Sequence, residues 1–445
     1  MEFLNSLLES ISSWVWGPPM LLLLMGTHIF LTVRLKGIQR ELPTAIRLSL
    51  KRNAEGKGDI SHFAALTTAL AATIGTGNII GVATAITAGG PGAVFWMWIT
   101  GVLGIPTKYA EALLAVKYRV TTHSGEQAGG PMYVIERGLG WKWLGIAFAV
   151  FTAFAAFGIG NTVQANAIAD MARISFGIPP ITTGVVLSFL TGLVILGGIR
   201  SIARVCQLLV PVMALVYIAG CFLLLIRNFF SLPDSILLIG KGAFSGQAAV
   251  GGFLGAGVRE AVRYGVARGL FSNESGLGSA PIVAAAAQTN DPVRQALVSS
   301  TGTFWDTVVI CFITGLVLVN SGHWQDGLSA TELSKAAFGE LKALGPFILN
   351  FGLLTFVFST LLGWCYYGEK ATEYLFGPPS VPFYRIIWVA APLVGATAAS
   401  HLTLIWNLAD IANALMAIPN LVSLILLNTI IVQETNRYHR NGFLE

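Results

Sequence analysis

Residues 71–81 read Ala-Ala-Thr73-Ile-Gly75-Thr76-Gly77-Asn78-Ile-Ile-Gly81, and residues 271–281 read Phe271-Ser272-Asn273-Glu274-Ser275-Gly276-Leu277-Gly278-Ser279-Ala-Pro281. Each sets a Gly-x-Gly among hydroxyls and an asparagine inside an apolar run. Aligned on these glycines, Gly75 meets Gly276, Gly77 meets Gly278, and Val82-Ala83 meets Val283-Ala284. Backbone polar groups at bilayer depth must be satisfied, so broken helices are tolerated mainly where they line a cavity. Corresponding breaks in two halves of a chain point to an inverted repeat with a substrate site at its interface. A lone Gly-x-Gly also serves simply to let helices approach closely; the matched pair with polar flanks favours the break.

Composition places these runs in a membrane. The 445 residues are 54% hydrophobic and only 11% charged, and mean hydropathy is +0.70. Soluble chains carry about 25% charged residues, so this one cannot cover a water-facing surface and reads as an all-α polytopic membrane protein. A bilayer core of about 30 Å takes about 20 helical residues. Eleven such runs are expected, near 14–33, 63–88, 92–116, 143–168, 180–198, 205–227, 268–288, 294–319, 345–368, 383–400 and 403–432. The implied organisation is an extra N-terminal helix with a basic loop (1–62), a first five-helix repeat (63–230), an amphipathic or re-entrant connecting helix (231–267), a second five-helix repeat (268–432) and a tail (433–445).

Arg34, Lys36, Arg40, Arg47, Lys51, Arg52 and Lys57 follow the first span, against Glu41, Glu55 and Asp59. Basic residues mark cytoplasmic loops, so the N-terminus is expected outside, the 34–62 loop and the C-terminus inside, and the chain in the plasma membrane. On this count Arg259, Arg263 and Arg268 fall outside: either the 243–265 helix dips inward or the seventh span is misplaced. The first span is preceded by Glu2 and Glu9, where a signal peptide would be basic. Cys206, Cys221, Cys311 and Cys365 lie in apolar stretches without framework spacing and read as small core residues.

No phosphate-binding loop of the Gly-x-x-x-x-Gly-Lys-Ser/Thr type is present, so the energy for transport would come from an ion gradient. His-Glu-x-x-His is absent too, and the isolated His28 and His401 give a serine hydrolase no evident base. A channel, the competing class, would want a continuous polar pore or rings of charge; neither appears, and nothing suggests a nucleic-acid partner. The leading reading is a secondary carrier working by alternating access. One sodium ion releases about 2.3 kcal/mol per 100 mV, and a tenfold gradient adds about 1.4 kcal/mol, enough together for roughly a 500-fold substrate gradient.

A broken helix exposes amides that suit a carboxylate and carbonyls that suit sodium or an ammonium. One break can therefore hold both ends of a zwitterionic amino acid without a charged side chain. Gln164 in the fourth span is a candidate substrate partner or interhelical glue. Ser359-Thr360 in the ninth offers hard oxygen ligands to sodium, with Trp364 one turn on. Glu274 and Asp306 are acids within spans and so functional suspects. They open the alternative of proton coupling, although for Glu274 pairing with an arginine at a helix end is the preferred reading. Lys108 is expected to snorkel or to pair with Glu111.

With these residues in view, the chain resembles the alanine or glycine:cation symporter family of prokaryotic amino-acid carriers. The resemblance is carried by Thr-Ile-Gly-Thr-Gly-Asn-Ile-Ile-Gly-Val-Ala-Thr-Ala (73–85), Arg-Gly-Leu-Phe-Ser-Asn-Glu-Ser-Gly-Leu-Gly-Ser-Ala-Pro (268–281) and Gly-Glu-Gln-Ala-Gly-Gly-Pro-Met-Tyr (125–133). It implies a leucine-transporter-like fold of five-plus-five inverted repeats behind one extra helix, and inward movement of alanine or glycine with sodium. It further implies that Thr73, Gly75, Thr76, Gly77 and Asn78 hold the substrate with Phe271, Ser272, Asn273, Gly276 and Gln164. Sodium would lie between Ser359, Thr360 and the carbonyls of Ala71 and Ile74, and Trp364 would wall the pocket so that little more than a methyl group fits. Oligomeric state is left open, a monomer being plausible.

Overall fold

The computed structural model describes residues 2–51, 56–122, 125–244, 257–398 and 402–440. Arg52, Glu55, His401, residues 245–256 of the expected connecting segment and residues 441–445 of the tail lie outside them. The fold is almost wholly helical. In chain order the helices are α1 (Glu2–Val15), α2 (Pro18–Arg34), α3 (Leu42–Leu50), α4 (His62–Thr73), α5 (Ile80–Gly89), α6 (Gly92–Lys117), α7 (Pro131–Val134), α8 (Lys142–Phe157), α9 (Val163–Phe176), α10 (Pro180–Ile195) and α11 (Gly198–Arg227). There follow α12 (Leu232–Phe244), α13 (Val258–Asn273), α14 (Ala280–Ala284), α15 (Pro292–Thr303), α16 (Phe312–Asn320), α17 (Ala330–Gly339), α18 (Leu344–Phe376), α19 (Ser380–Thr397), α20 (Leu402–Leu426) and α21 (Asn428–Arg440). A two-residue antiparallel pair, β1 (Val120–Thr121) with β2 (Gln127–Ala128), follows α6 in register Val120 to Ala128.

Eight stretches among the described residues are long and apolar enough to cross a membrane, and the shorter apolar α5 and α10 add to them. Helix starts follow local chemistry. Ser61 Oγ accepts from the Ala64 amide ahead of α4, and Asp291 caps α15 with Pro292 next, where its missing N–H costs nothing. Ser329 and Glu332 form a reciprocal cap on α17.

Three expected spans differ in outline. The first is two helices parted at Trp16-Gly17, before Pro18. The last is parted at Leu427 into α20 and α21. The seventh begins at Val258 rather than 268, so the expected connecting segment falls partly on α12 and partly on α13, which carries Arg259, Arg263 and Arg268. Small residues explain how so charged a helix packs: Gly265 and Gly269 face α6 while Arg259 and Arg263 stay exposed. A Cβ added at Gly265 would lie 2.4 Å from the Ala93 carbonyl oxygen, and one at Gly269 would lie 2.1 Å from Thr100 Oγ1.

A polar plug ties together the chain segments before α4, after α6 and after α14. The amides of Asp59 and Ile60 donate to the Ala286 carbonyl, the Gln288 amide donates to the Ile60 carbonyl, and the Thr289 amide donates to Lys57 O. The Arg119 guanidinium donates to the carbonyls of Ala285, Ala287, Lys57 and Thr289. Lys370 Nζ bridges Glu126 and Glu373 at 2.8 Å each. Asp59 Oδ2 accepts from the Gln127 amide, and burial holds its carboxyl above the ordinary value against that bond. The plug thus joins the chain entering α4 to the chain leaving α14.

Gly269→Val overpacks the contact of α13 with α6, a cost of about 1–3 kcal/mol. We expect the melting temperature of the detergent-purified protein to fall, as read by thermal-shift chromatography; an unchanged value contradicts this packing.

Candidate functional site

The first break begins where Ile74 leaves the helix for an extended conformation, followed by extended Gly75 and one tight turn, Thr76–Asn78. Asn78 holds this shape: its Oδ1 accepts from the Gly75 amide at 2.8 Å, and its Nδ2 donates to Asp306 Oδ1 at 2.7 Å. The second break turns on left-handed Glu274, Gly276 and Gly278. Glu111 of α6 spans it, with Oε1 accepting from the amides of Gly276 and Gly278 at 3.0 Å each and from Asn420 Nδ2. Asp306 joins the two breaks. Its Oδ2 accepts from Ser272 Oγ at 2.9 Å and from Thr307 Oγ1, and it lies buried in the widened π-helical stretch Phe304–Cys311. Such stretches are frequent at functional sites.

Between the breaks lies a cavity of about 30 Å³ bordered by Ala72, Thr73, Gly75, Thr76, Gly77, Ile159, Gln164, Phe271, Ser272, Glu274, Thr360, Trp364 and Asn413. That is room for two or three water-sized groups, at about 10–15 Å³ each. Trp364 is wedged: a Cβ on Gly160 would lie 2.3 Å from its Cβ, and Tyr367 packs edge-on at 5.5 Å. Gly160 sits in a second π-helical stretch, Gly158–Thr162. Gln164 Nε2 donates to the Ile159 carbonyl at 3.0 Å, leaving its Oε1 buried without a partner among the described residues, as is Asn413 Oδ1.

Of the residues expected at the substrate site, Thr73, Gly75, Thr76, Gly77, Gln164, Phe271, Ser272 and Trp364 border this cavity. Asn78, Asn273 and Gly276 do not. Asn78 is engaged with Asp306, and Asn273 Oδ1 accepts from the Ser275 amide. Gly276 donates to Glu111, and a Cβ there would meet Leu24 at 2.6 Å. For the ion, Ser359 Oγ donates to the Ala71 carbonyl at 3.2 Å and to Phe356 O at 2.8 Å. Thr360 Oγ1 donates to Phe356 O and faces Gly75, where a Cβ would lie 2.9 Å away. The hydroxyl pair therefore stands against the first break, with Ile74 fully buried beside it.

Other residues behave differently from expectation. Lys108 does not snorkel: it is buried, its Nζ donates to the Asn273 carbonyl at 2.8 Å, and its charge acts on the buried Glu111 carboxyl without a direct ion pair among the described residues. Glu274 meets no arginine among the described residues; its Oε2 accepts from Ser279 Oγ and it borders the cavity. His28, by contrast, is a buried core residue, its Nδ1 lying 2.7 Å from Thr107 Oγ1 and its Nε2 without a partner among the described residues. Asn413 and Ile159 were missed, since nothing in the sequence marks which face of a long apolar helix turns inward.

Residues 1–442 match the Sodium:alanine symporter family. The chain belongs to this family. It is 51% identical over 450 residues to the sodium/alanine symporter AgcS of Methanococcus maripaludis, covering 99% of this chain and 98% of that one. It is 52% identical over 440 residues to an uncharacterized transporter of Haemophilus influenzae, covering 98% and 96%. The fold matches that of MhsT, solved in complex with L-phenylalanine, with a TM-score of 0.60 over 83% of this chain and 89% of that one at 14% identity. The protein is a sodium-coupled secondary transporter of leucine-transporter-like fold, not an enzyme.

Asp306→Ala strips an acceptor from Asn78, Ser272 and Thr307, each buried, at about 1–3 kcal/mol per orphaned group. We expect uptake to be lost and the melting temperature to drop, with Asp306→Asn milder in both; a silent Asp306→Ala refutes the bridging role.

Proposed function

We propose that the protein imports alanine, and also glycine, together with sodium by alternating access, with eleven crossings, the N-terminus outside and the C-terminus in the cytoplasm. The observation that carries the reading is the small cavity set between two backbone breaks with a pair of hydroxyls against the first. In the first break the Gly75 amide is taken by Asn78 and that of Ile79 by the Thr76 carbonyl, which leaves the amides of Thr76 and Gly77 to hold the substrate carboxylate. The ammonium brings three donors to a wall carrying Gln164 Oε1, Asn413 Oδ1 and the Glu274 carboxyl. The methyl group of alanine meets Trp364 and Ile159. Because Gly160 and Tyr367 fix the indole, the pocket cannot enlarge cheaply. Glycine fits with a small loss, since one methyl is worth only about 1–3 kcal/mol of discrimination.

Sodium sits between Ser359, Thr360 and the carbonyls of Ala71 and Ile74. A hydroxyl that donates to a carbonyl keeps lone pairs for a hard cation, which prefers oxygen ligands. We assign the plug through Arg119 and Lys370 to the cytoplasmic side because it includes the end of the basic 34–62 loop.

The test is alanine uptake into liposomes under a sodium gradient and, separately, a proton gradient. Accumulation is expected with sodium alone and is lost in Thr360→Ala; accumulation with protons alone moves the coupling to Glu274 or Asp306 and overturns the sodium site. Trp364→Ala is expected to admit valine or leucine as substrates, and unchanged selectivity contradicts the wall assigned to the indole.

A further inference from the structure

A second cavity, of about 240 Å³, opens where the turn after α2 meets α21. Its walls carry Arg34, Lys36, Arg40 and His439 together with Glu41, next to Arg40 in the same turn, and Asn436, around buried Leu35 and Ile38. No carboxylate lies within 4.0 Å of Arg34, Lys36 or Arg40 among the described residues, whereas nearby Glu434 is already paired with Lys117 and Arg437. The backbone is shaped to gather these cations. Lys36 and Gly37 are both left-handed, at φ 53° and 75°, and the Arg40 amide donates to the Gly37 carbonyl, so the chain doubles back within five residues. A left-handed lysine is costly and persists where its surroundings require it. Arg34 Nε donates to Asn428 Oδ1 at 2.8 Å, which fixes its guanidinium on the rim.

The cavity opens next to an apolar strip. On α2, Leu22, Ile29 and Val33 are 72%, 51% and 72% exposed and, spaced seven and four residues apart, share one face that ends beside Arg34. Polar phosphate partners at the end of a crossing, continuous with an uncovered apolar helix face, match a lipid that is anionic at the head and apolar below. We infer that this cavity is a binding site for an anionic phospholipid. The phosphate ester sits among Arg34, Lys36 and Arg40, an acyl chain runs along Leu22, Ile29 and Val33, and the lipid fastens the first crossing to the last helix. Basic pockets at helix ends suit such head groups, and each nearby Lys or Arg contributes measurably. A free phosphate ester would use the same cations and ignore the strip.

Native mass spectrometry of the delipidated full chain, titrated with phosphatidylglycerol, phosphatidylcholine or soluble glycerol phosphate, tests this. Phosphatidylglycerol is expected to bind at least tenfold more tightly than either of the others. Lys36→Gln with Arg40→Gln should weaken it by about thirtyfold. Both side chains are exposed, so the lipid-free melting temperature stays put, while Lys36→Arg with Arg40→Lys retains binding. Equal binding of the two lipids, full binding by the neutralised variant, or glycerol phosphate binding as tightly as phosphatidylglycerol each overturns the lipid site, the last in favour of a soluble anion.

Discussion

A helix broken in the middle of a membrane leaves amides and carbonyls that something must hydrogen-bond, since lipid cannot. Two carboxylates and a lysine meet that demand here. Glu111 accepts from the amides of Gly276 and Gly278, Lys108 donates to the Asn273 carbonyl, and Asp306 reaches the first break through Asn78 and the second through Ser272. A carboxylate at bilayer depth costs about 2.5–3.5 kcal/mol on insertion scales. Its retention is explained by what replaces it: without Glu111, two buried amides would lose their acceptor and Asn420 one of its two. The acids therefore hold open a shape that the backbone would not keep by itself, and the cavity proposed for the substrate is the space left between the two shapes.

The two breaks were legible because glycine, asparagine and hydroxyl residues in an apolar run have few other purposes, and because the pattern occurs twice. The hydroxyl pair Ser359-Thr360 is a weak signal by itself, since such hydroxyls often bond their own helix: both donate to the Phe356 carbonyl, and Ser359 also reaches the carbonyl of Ala71. What a linear pattern cannot carry is direction. Gly276 looks equivalent to Gly75, yet its amide turns away from the cavity because Glu111 waits on the far side. Asn273 and Asn78 likewise spend their side chains shaping the backbone. Conversely Glu274, a residue that charge alone would pair with an arginine, turns inward, where its carboxyl accepts from Ser279 Oγ and borders the cavity. The seventh span was placed ten residues late since Arg259, Glu260 and Arg263 lower the average hydropathy of its first turns, while the small face formed by Gly265 and Gly269, which buries it against α6, is invisible to an average.

The plug bears on movement. It joins the chain before α4 to the chain after α14, so the ends of both broken helices are bound to each other and, through Arg119, to α6. Its bonds are polar, and those of Arg119 are part-buried or exposed, whereas Lys370 and Glu373 are buried. The Arg119 contacts can be exchanged for water at small net cost, since an intramolecular hydrogen bond contributes only about 0.5–1.5 kcal/mol net, while the Lys370 pair must stay whole or be wetted as a unit. The Asp306 and Glu111 networks are different in kind, buried and without access to water. Rocking that opens the plug while preserving the breaks is therefore the motion of lower cost.

Coupling follows from where the proposed ligands meet. The carbonyls assigned to sodium, those of Ala71 and Ile74, and the amides assigned to the carboxylate, those of Thr76 and Gly77, belong to one stretch of seven residues. A stretch this short cannot be ordered at one end and loose at the other. An ion that orders the carbonyls removes part of the ordering cost for the amino acid, and linkage makes the effect reciprocal. Thr360 strengthens the connection because its hydroxyl faces Gly75, and both border the cavity. On this argument the cation need not touch the substrate; it needs only to fix the backbone that the substrate reads.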